Sequence, residues 1–323
     1  YVNLDISKHY TLMGQRFILN KVKDFDPMLD EQMVEVELLA VDAFRSSEEI
    51  EPPAPTLLLD LYGDDVLMAY SFRKLSSTYA GSAVRVRRTS DNTEQDIGFD
   101  ASGNLDTSAL TTFLGSSDGF ITKWYDQSGS SRDGVQATSS RQIRIATAGV
   151  IVTKNSLPTT QGGANLHVNI SGVPTTSQPY TIFEIYAHDT ATGAGTRFTF
   201  TSGTGSNRLE NNVQRFVKFG LFTKFSGTTN SRSTTQHTDT DLHVVTRMVN
   251  GSSSVLRVDQ TTETLNVNPQ SGTQLGNTGT STIGINATPS YLGNLSEVIV
   301  YGADKTSDFT NIETDMKTYY STP

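Results

Sequence analysis

The chain has 323 residues, no cysteine and a formal net charge of -9. Without cysteine there are no disulfides and no thiolate metal sites. The acidic balance argues against a general nucleic-acid binder. No apolar run approaches the length of a membrane span, so membrane insertion is not expected. No signal peptide is visible, which fits assembly in a reducing cytoplasm. The chain starts at Tyr1 rather than Met, which leaves open whether a piece precedes it.

The length suits one large domain with a small appendage. Hydrophobic residues make up 35% of the chain, in short runs cut by Ser, Thr, Asn and Gly. That pattern predicts an all-β protein. Residues 1–52 form a strand-rich arm, with strands expected over Arg16–Val22 and Met33–Ala40 and a turn at Asp24–Pro27. A lone hairpin is marginal in water, so the arm is expected to pack on something else: the main domain, a partner or copies of itself. Residues 53–56 are a proline-rich hinge, and a second unit runs over 57–323, opening on Leu57-Leu58-Leu59.

In that second unit strands are predicted at Val84–Arg88, Gly119–Tyr125, Gly149–Val152, Tyr180–Tyr186, Arg197–Thr201, Phe216–Phe222, His243–Val249, Ser254–Val258, Ser281–Ile285 and Leu295–Tyr301. So many short strands suggest a sandwich or jelly roll. Arg85, Arg87 and Arg88 read as a solvated, salt-bridged strand face. Helices are predicted at Asp106–Phe113 and near the C-terminus. In the second, Ser307 would cap, and Phe309, Ile312, Met316 and Tyr319 or Tyr320 would share one face.

The densest stretch is Trp124-Tyr125-Asp126-Gln127-Ser128-Gly129, which holds the single tryptophan. Trp124 and Tyr125 are candidate sugar-stacking groups, weighed against a core role for Trp124. Asp126 is a candidate ligand group, weighed against holding backbone N–H groups in a tight turn. Asp91, Asn92, Glu94 and Asp96 make an oxygen-rich run that structural calcium could use. His237, Asp239, Asp241 and His243 alternate and could share a strand face as metal ligands. Residues two apart on a strand stand roughly 6.5–7 Å apart, however, too far for all four to reach one ion. The alternative is a polar turn entering a core strand. No other cofactor is expected.

Together with Ala69-Tyr70-Ser71, Tyr79-Ala80-Gly81 and Val84–Asn92, the Tyr-Asp-Gln-Ser-Gly run resembles the α-L-arabinofuranosidase B catalytic domain, over roughly residues 57–323. The resemblance implies a concanavalin-like β-sandwich, a jelly roll here flanked by the arm and a C-terminal helix. It also implies a Glu nucleophile followed by two asparagines, and an Asp acid/base. Matched through Phe225-Ser226-Gly227, the nucleophile falls on Leu221. A rival match places it at Glu210, in Glu210-Asn211-Asn212. The acid/base falls on Asn286, whose amide cannot donate a proton as a carboxylic acid does. On the first match both carboxylates are lost. Were the chain an enzyme, Glu210, Asp126 and Glu297 would be the remaining acids, and Asn286 a ligand contact.

Similar sandwiches behind short N-terminal segments occur in virion proteins of tailed bacteriophages. The reading from sequence is therefore a non-catalytic structural protein of a phage particle, in capsid decoration, tail or fibre. It would assemble in the host bacterial cytoplasm as a homo-oligomer. Residues 1–52 would meet other virion proteins, and the sandwich could contact host glycans. The alternatives are an active arabinofuranosidase-like hydrolase and a pure carbohydrate-binding module.

Overall fold

The computed structural model describes residues 9–12, 15–23, 35–40 and 56–323, apart from residues 164, 189–196, 205–206, 215–217, 226–228, 268–280 and 286–292. The chain divides into two compact units, Tyr1–Pro55 and Thr56–Pro323. In the first, His9–Leu12, Gln15–Lys23 and Glu35–Ala40 form a three-stranded antiparallel sheet. The sequence showed only the last two. Its expected turn at Asp24–Pro27 lies outside the described residues.

The second unit is a β-sandwich. One sheet has six antiparallel strands in the order Thr261–Thr262, Val255–Val258, Leu242–Val249, Tyr180–His188, Gly293–Tyr301 and Val66–Ser71. The other has twelve. Its main path runs Val150–Ile151, Ile143–Thr147, Gly119–Trp124, Gly134–Val135, Leu166–Ile170, Ser281–Ile285, Arg197–Thr204, Asn207–Gln214, Lys218–Phe225 and Thr229–Arg232. Val84–Arg88 pairs with Gly119–Trp124 and with Glu94–Ile97.

The six-stranded sheet is buried on both faces, so Leu242–Val249 and Gly293–Tyr301 are buried at every residue. Alternation sends successive side chains to opposite faces. Ile182, Tyr186, Val245, Val298 and Val300 point toward the large sheet, where they meet Val86, Ile121, Trp124, Val168 and Ile283. Phe183, Ile185, Val244, Ile299 and Tyr301 point the other way, onto the C-terminal helix Phe309–Tyr320. That helix buries Phe309, Ile312, Met316 and Tyr320 on one stripe, the 3.6-residue periodicity the sequence shows. Asp308, not Ser307, is its N-cap, and its side chain makes no capping bond.

Two further helices are short, and the second is the one expected at Asp106–Phe113. Leu58–Tyr62 is a short helix whose first turn is closed by Asp60, which accepts from the Leu57 N–H at 2.9 Å. The helix Thr107–Leu114 is capped by Asp106, whose carboxylate accepts from Ala109 N–H at 2.8 Å.

Candidate carbohydrate site on the large sheet

The Trp124–Gly129 stretch joins the two sheets. Trp124 is fully buried, stacked on Phe72 at 5.0 Å and edge-on to Tyr70 at 6.1 Å. Its ring is core and offers no face to a sugar. Asp126 is also buried, and its two oxygens are taken. Oδ1 accepts from Ala69 N–H and Ser128 N–H, both at 2.9 Å, and Oδ2 from the Ser128 hydroxyl at 2.9 Å and Arg132 N–H at 3.0 Å. Gln127 accepts from Leu75 N–H and donates to the carbonyls of Ser71 and Arg73. Gly129 closes the turn at φ +82°, where a side chain would be strained. Ala69 and Ser71 belong to the six-stranded sheet and Trp124 to the other, so this motif clamps the sandwich rather than displaying ligand groups.

Tyr125 is half-buried. Its hydroxyl donates to Asp96 Oδ1 at 2.7 Å, with the Lys123 ammonium 5.0 Å from the ring centre. Burial and the Asp96 carboxylate push its pKa up to about 12. Asp96 also receives two bonds from Arg85, and Asp91 two from Arg88. Glu94–Ile97 is a strand rather than a calcium loop. The Arg88 pair holds the Asp91 carboxyl well below its usual range. Both acids are committed to arginines, as the basic strand face requires.

Glu297 stands opposite Ser71 and faces the C-terminal helix. It is fully buried, bound by Arg73, the Ser71 hydroxyl at 2.7 Å and the Tyr320 hydroxyl at 3.2 Å. It lies inside the helix–sheet interface, as Asp126 lies inside the clamp. The sequence held these two as reserve catalytic acids, but neither side chain opens to a substrate. His237 pairs with Glu263 at 3.2 Å, and Asp239 with His243 at 2.7 Å. Among the described residues no group of three or more His, Asp or Glu could hold a metal ion.

The strand register decides where the two candidate nucleophile positions lie. Asn207–Gln214 pairs with Lys218–Phe225 without a bulge, placing Val213 opposite Phe219, Asn211 opposite Leu221 and Glu210 opposite Phe222. Phe219 is buried against Tyr186 of the six-stranded sheet. Position 221 shares its side, as does buried Ser231 opposite it. Position 221 therefore belongs to the core face. Position 210 is one residue out of phase with 221 in this register, so the two positions fall on opposite faces of the sheet. The row of position 210 continues through Thr201, Thr282 and Asn169.

In the next row His167 stands opposite Gly284. Gly284 has φ +123°, and a Cβ there would come 2.7 Å from the Leu166 carbonyl oxygen, so no side chain fits. Burial depresses the His167 pKa, favouring the neutral ring. Asn286, two residues on, lies outside the described residues. A separate cleft of about 530 Å³ lies beside the clamp, lined by Asp60, Asp64, Tyr79, Gln127 and Ser128. Its Asp60 is tied to Leu57, Ser76 and Ser77.

This fold is that of the GH54 arabinofuranosidases. A GH54 α-L-arabinofuranosidase Glu-to-Gln variant soaked with 4-nitrophenyl α-L-arabinofuranoside superimposes with a TM-score of 0.64 at 14% identity, over 82% of this chain and 66% of that one. An arabinofuranosidase complexed with arabinofuranosyl-α-1,2-xylobiose gives 0.52 at 15% identity, over 82% and 65%. The chain thus spans slightly under two thirds of these enzymes' length. Residues 63–173 match the family model for the catalytic domain of α-L-arabinofuranosidase B. No curated protein matches the chain. The family match contains the clamp but stops short of both Glu210 and Asn286.

Proposed function

We propose that the sandwich is a carbohydrate-active domain that hydrolyses α-L-arabinofuranosidic bonds, with Glu210 as its nucleophilic carboxylate. One observation carries this reading: the register supports Glu210, and not Leu221, as the position on the outer face of the large sheet. A nucleophile must reach the sugar, and Leu221 belongs to the core face. Glu210-Asn211-Asn212 also keeps the order of the family's Glu and its two asparagines. Hydrolysis with retention needs a second acid about 5 Å away, and neither Asp126 nor Glu297 can serve. The test is turnover of 4-nitrophenyl α-L-arabinofuranoside by the full chain and by Glu210→Gln. The expected result is release of nitrophenol by the natural chain and loss to background in the variant. Equal rates for both would remove Glu210 from the reaction.

A second reading is favoured by the amide at Asn286 and by the separate N-terminal unit. Here the sandwich binds a glycan without cleaving it, and residues 1–55 anchor the chain in a phage particle. It predicts arabinan binding without turnover, and an oligomer that dissociates when residues 1–55 are removed. Native mass spectrometry and calorimetry with arabinan separate the two readings.

A further inference from the structure

A cluster of rings and carboxylates lies where Phe219 of the large sheet meets Tyr186 and His243 of the six-stranded sheet. His243 is buried there at the start of Leu242–Val249. Its Nδ1 lies 2.6 Å from Asp259 Oδ2 and its Nε2 lies 2.7 Å from Asp239 Oδ1. A neutral imidazole has one N–H and one bare lone pair. Two carboxylates can only accept, so this geometry requires both nitrogens to donate: the ring is an imidazolium.

The two carboxylates are not equivalent. Asp259 is mostly covered, and its Oδ1 also accepts from Val244 N–H at 3.0 Å. Asp239 is 47% exposed, and it also accepts from Asp241 N–H at 3.1 Å within the same loop. When the ring loses its proton, the N–H stays with Asp259 and the bond to Asp239 is lost. We propose that His243 is a pH-operated latch holding the loop Thr234–Asp241 against the sandwich.

The other groups around the ring fit this assignment. His237, from the loop itself, stands 5.5 Å from His243 between ring centres and pairs with Glu263. Phe219 packs on both imidazoles, at 5.1 and 5.7 Å. Tyr186 is opposite His243 on the neighbouring strand. Lys154 donates to the Thr240 carbonyl at 2.8 Å, a second tether on the loop. Burial opposes the charge on His243, but the bond to Asp259 and the charges of Asp259 and Asp239 outweigh it and raise the pKa. A raised histidine pKa stabilises the closed loop below the ordinary histidine value. That stabilisation is lost as pH climbs through the raised one. The loop is therefore shut in acid and released in base. Phe219 ties it to the strand beside Glu210.

The test is hydrogen exchange of the full chain from pH 5.5 to 9, read on peptides spanning residues 233–242 and corrected for intrinsic base catalysis. The His243 ring is titrated in parallel by NMR. Corrected exchange is expected to rise roughly tenfold, as for one lost charge-assisted bond, with the midpoint of the His243 titration. Asp239→Asn, at an exposed site, is expected to exchange at the high-pH level throughout. A flat corrected profile, or a midpoint unrelated to His243, overturns the latch. Should the variant fail to fold, the natural chain's two midpoints decide alone.

Discussion

Arg73 grips Glu297 with two parallel bonds beneath the C-terminal helix: Nε to Oε2 at 2.8 Å and Nη2 to Oε1 at 3.0 Å. The same guanidinium meets Asp315 of the helix at 2.6 Å and lies 4.7 Å from the Tyr319 ring centre. Residues 224 apart in sequence thereby fix the helix to the sheet. Breaking a buried pair from one side strands the other charge, at a cost of about 3–5 kcal/mol. Glu297→Gln is expected to lower urea stability by that order. A variant of unchanged stability that lost only glycan turnover would return Glu297 to the candidate site.

Asp126 supports a parallel prediction at the clamp. Its carboxylate accepts four bonds, one from Ala69 in the six-stranded sheet and three from the loop that follows Trp124. Asn keeps one acceptor oxygen and turns an N–H₂ group toward donors. With hydrogen bonds to charged groups worth roughly 1.5–3 kcal/mol each, Asp126→Asn should destabilise by about 2–4 kcal/mol. Chemical denaturation measures this. Any loss of glycan binding should follow the fraction unfolded; a fully folded variant without binding would contradict the clamp.

These two residues show what the sequence could reveal. Local pattern was legible: Val84–Arg88 and Ser281–Ile285 have the predicted bounds. So was the stripe Phe309, Ile312, Met316, since a helix writes its period into a short window. Asn207–Gln214 was not recognisable, because its polar residues have low strand propensity. Pairing on both sides makes it a strand. Leu166–Ile170 was missed for similar reasons: it is a short segment held between two neighbours. At the candidate site, alignment alone left Leu221 and Glu210 as rivals. Their faces depend on which strands pair, and in what register. The commitments of Glu297, Asp96 and His243 are also long-range, and no spacing announces them.

Trp124, the single tryptophan, reports directly on its own assignment. It is fully buried against Phe72 and Tyr70. Its emission should be blue-shifted and poorly quenched by acrylamide, and should stay unchanged when arabinan is added. Trp124→Ala should cost about 3–5 kcal/mol, as for truncating a large core aromatic. A ligand-dependent change in intensity would place the ring at a binding surface instead.

The division between Pro55 and Thr56 supports a last prediction. Every residue of the two hydrophobic clusters is numbered 58 or higher, from Leu58 and Leu59 under the helix to Tyr320 within it. Both sheets of the sandwich likewise start beyond Thr56. Among the described residues, a fragment of residues 56–323 therefore contains every member of both clusters and every strand of both sheets. Such a unit should fold cooperatively by itself. Its melting temperature should match the main transition of the full chain in calorimetry, with near-ultraviolet dichroism from Trp124 retained. A fragment that aggregates or melts well below the full chain would show that residues 1–55 stabilise the sandwich, and the anchoring role assigned to them would need to include that contribution.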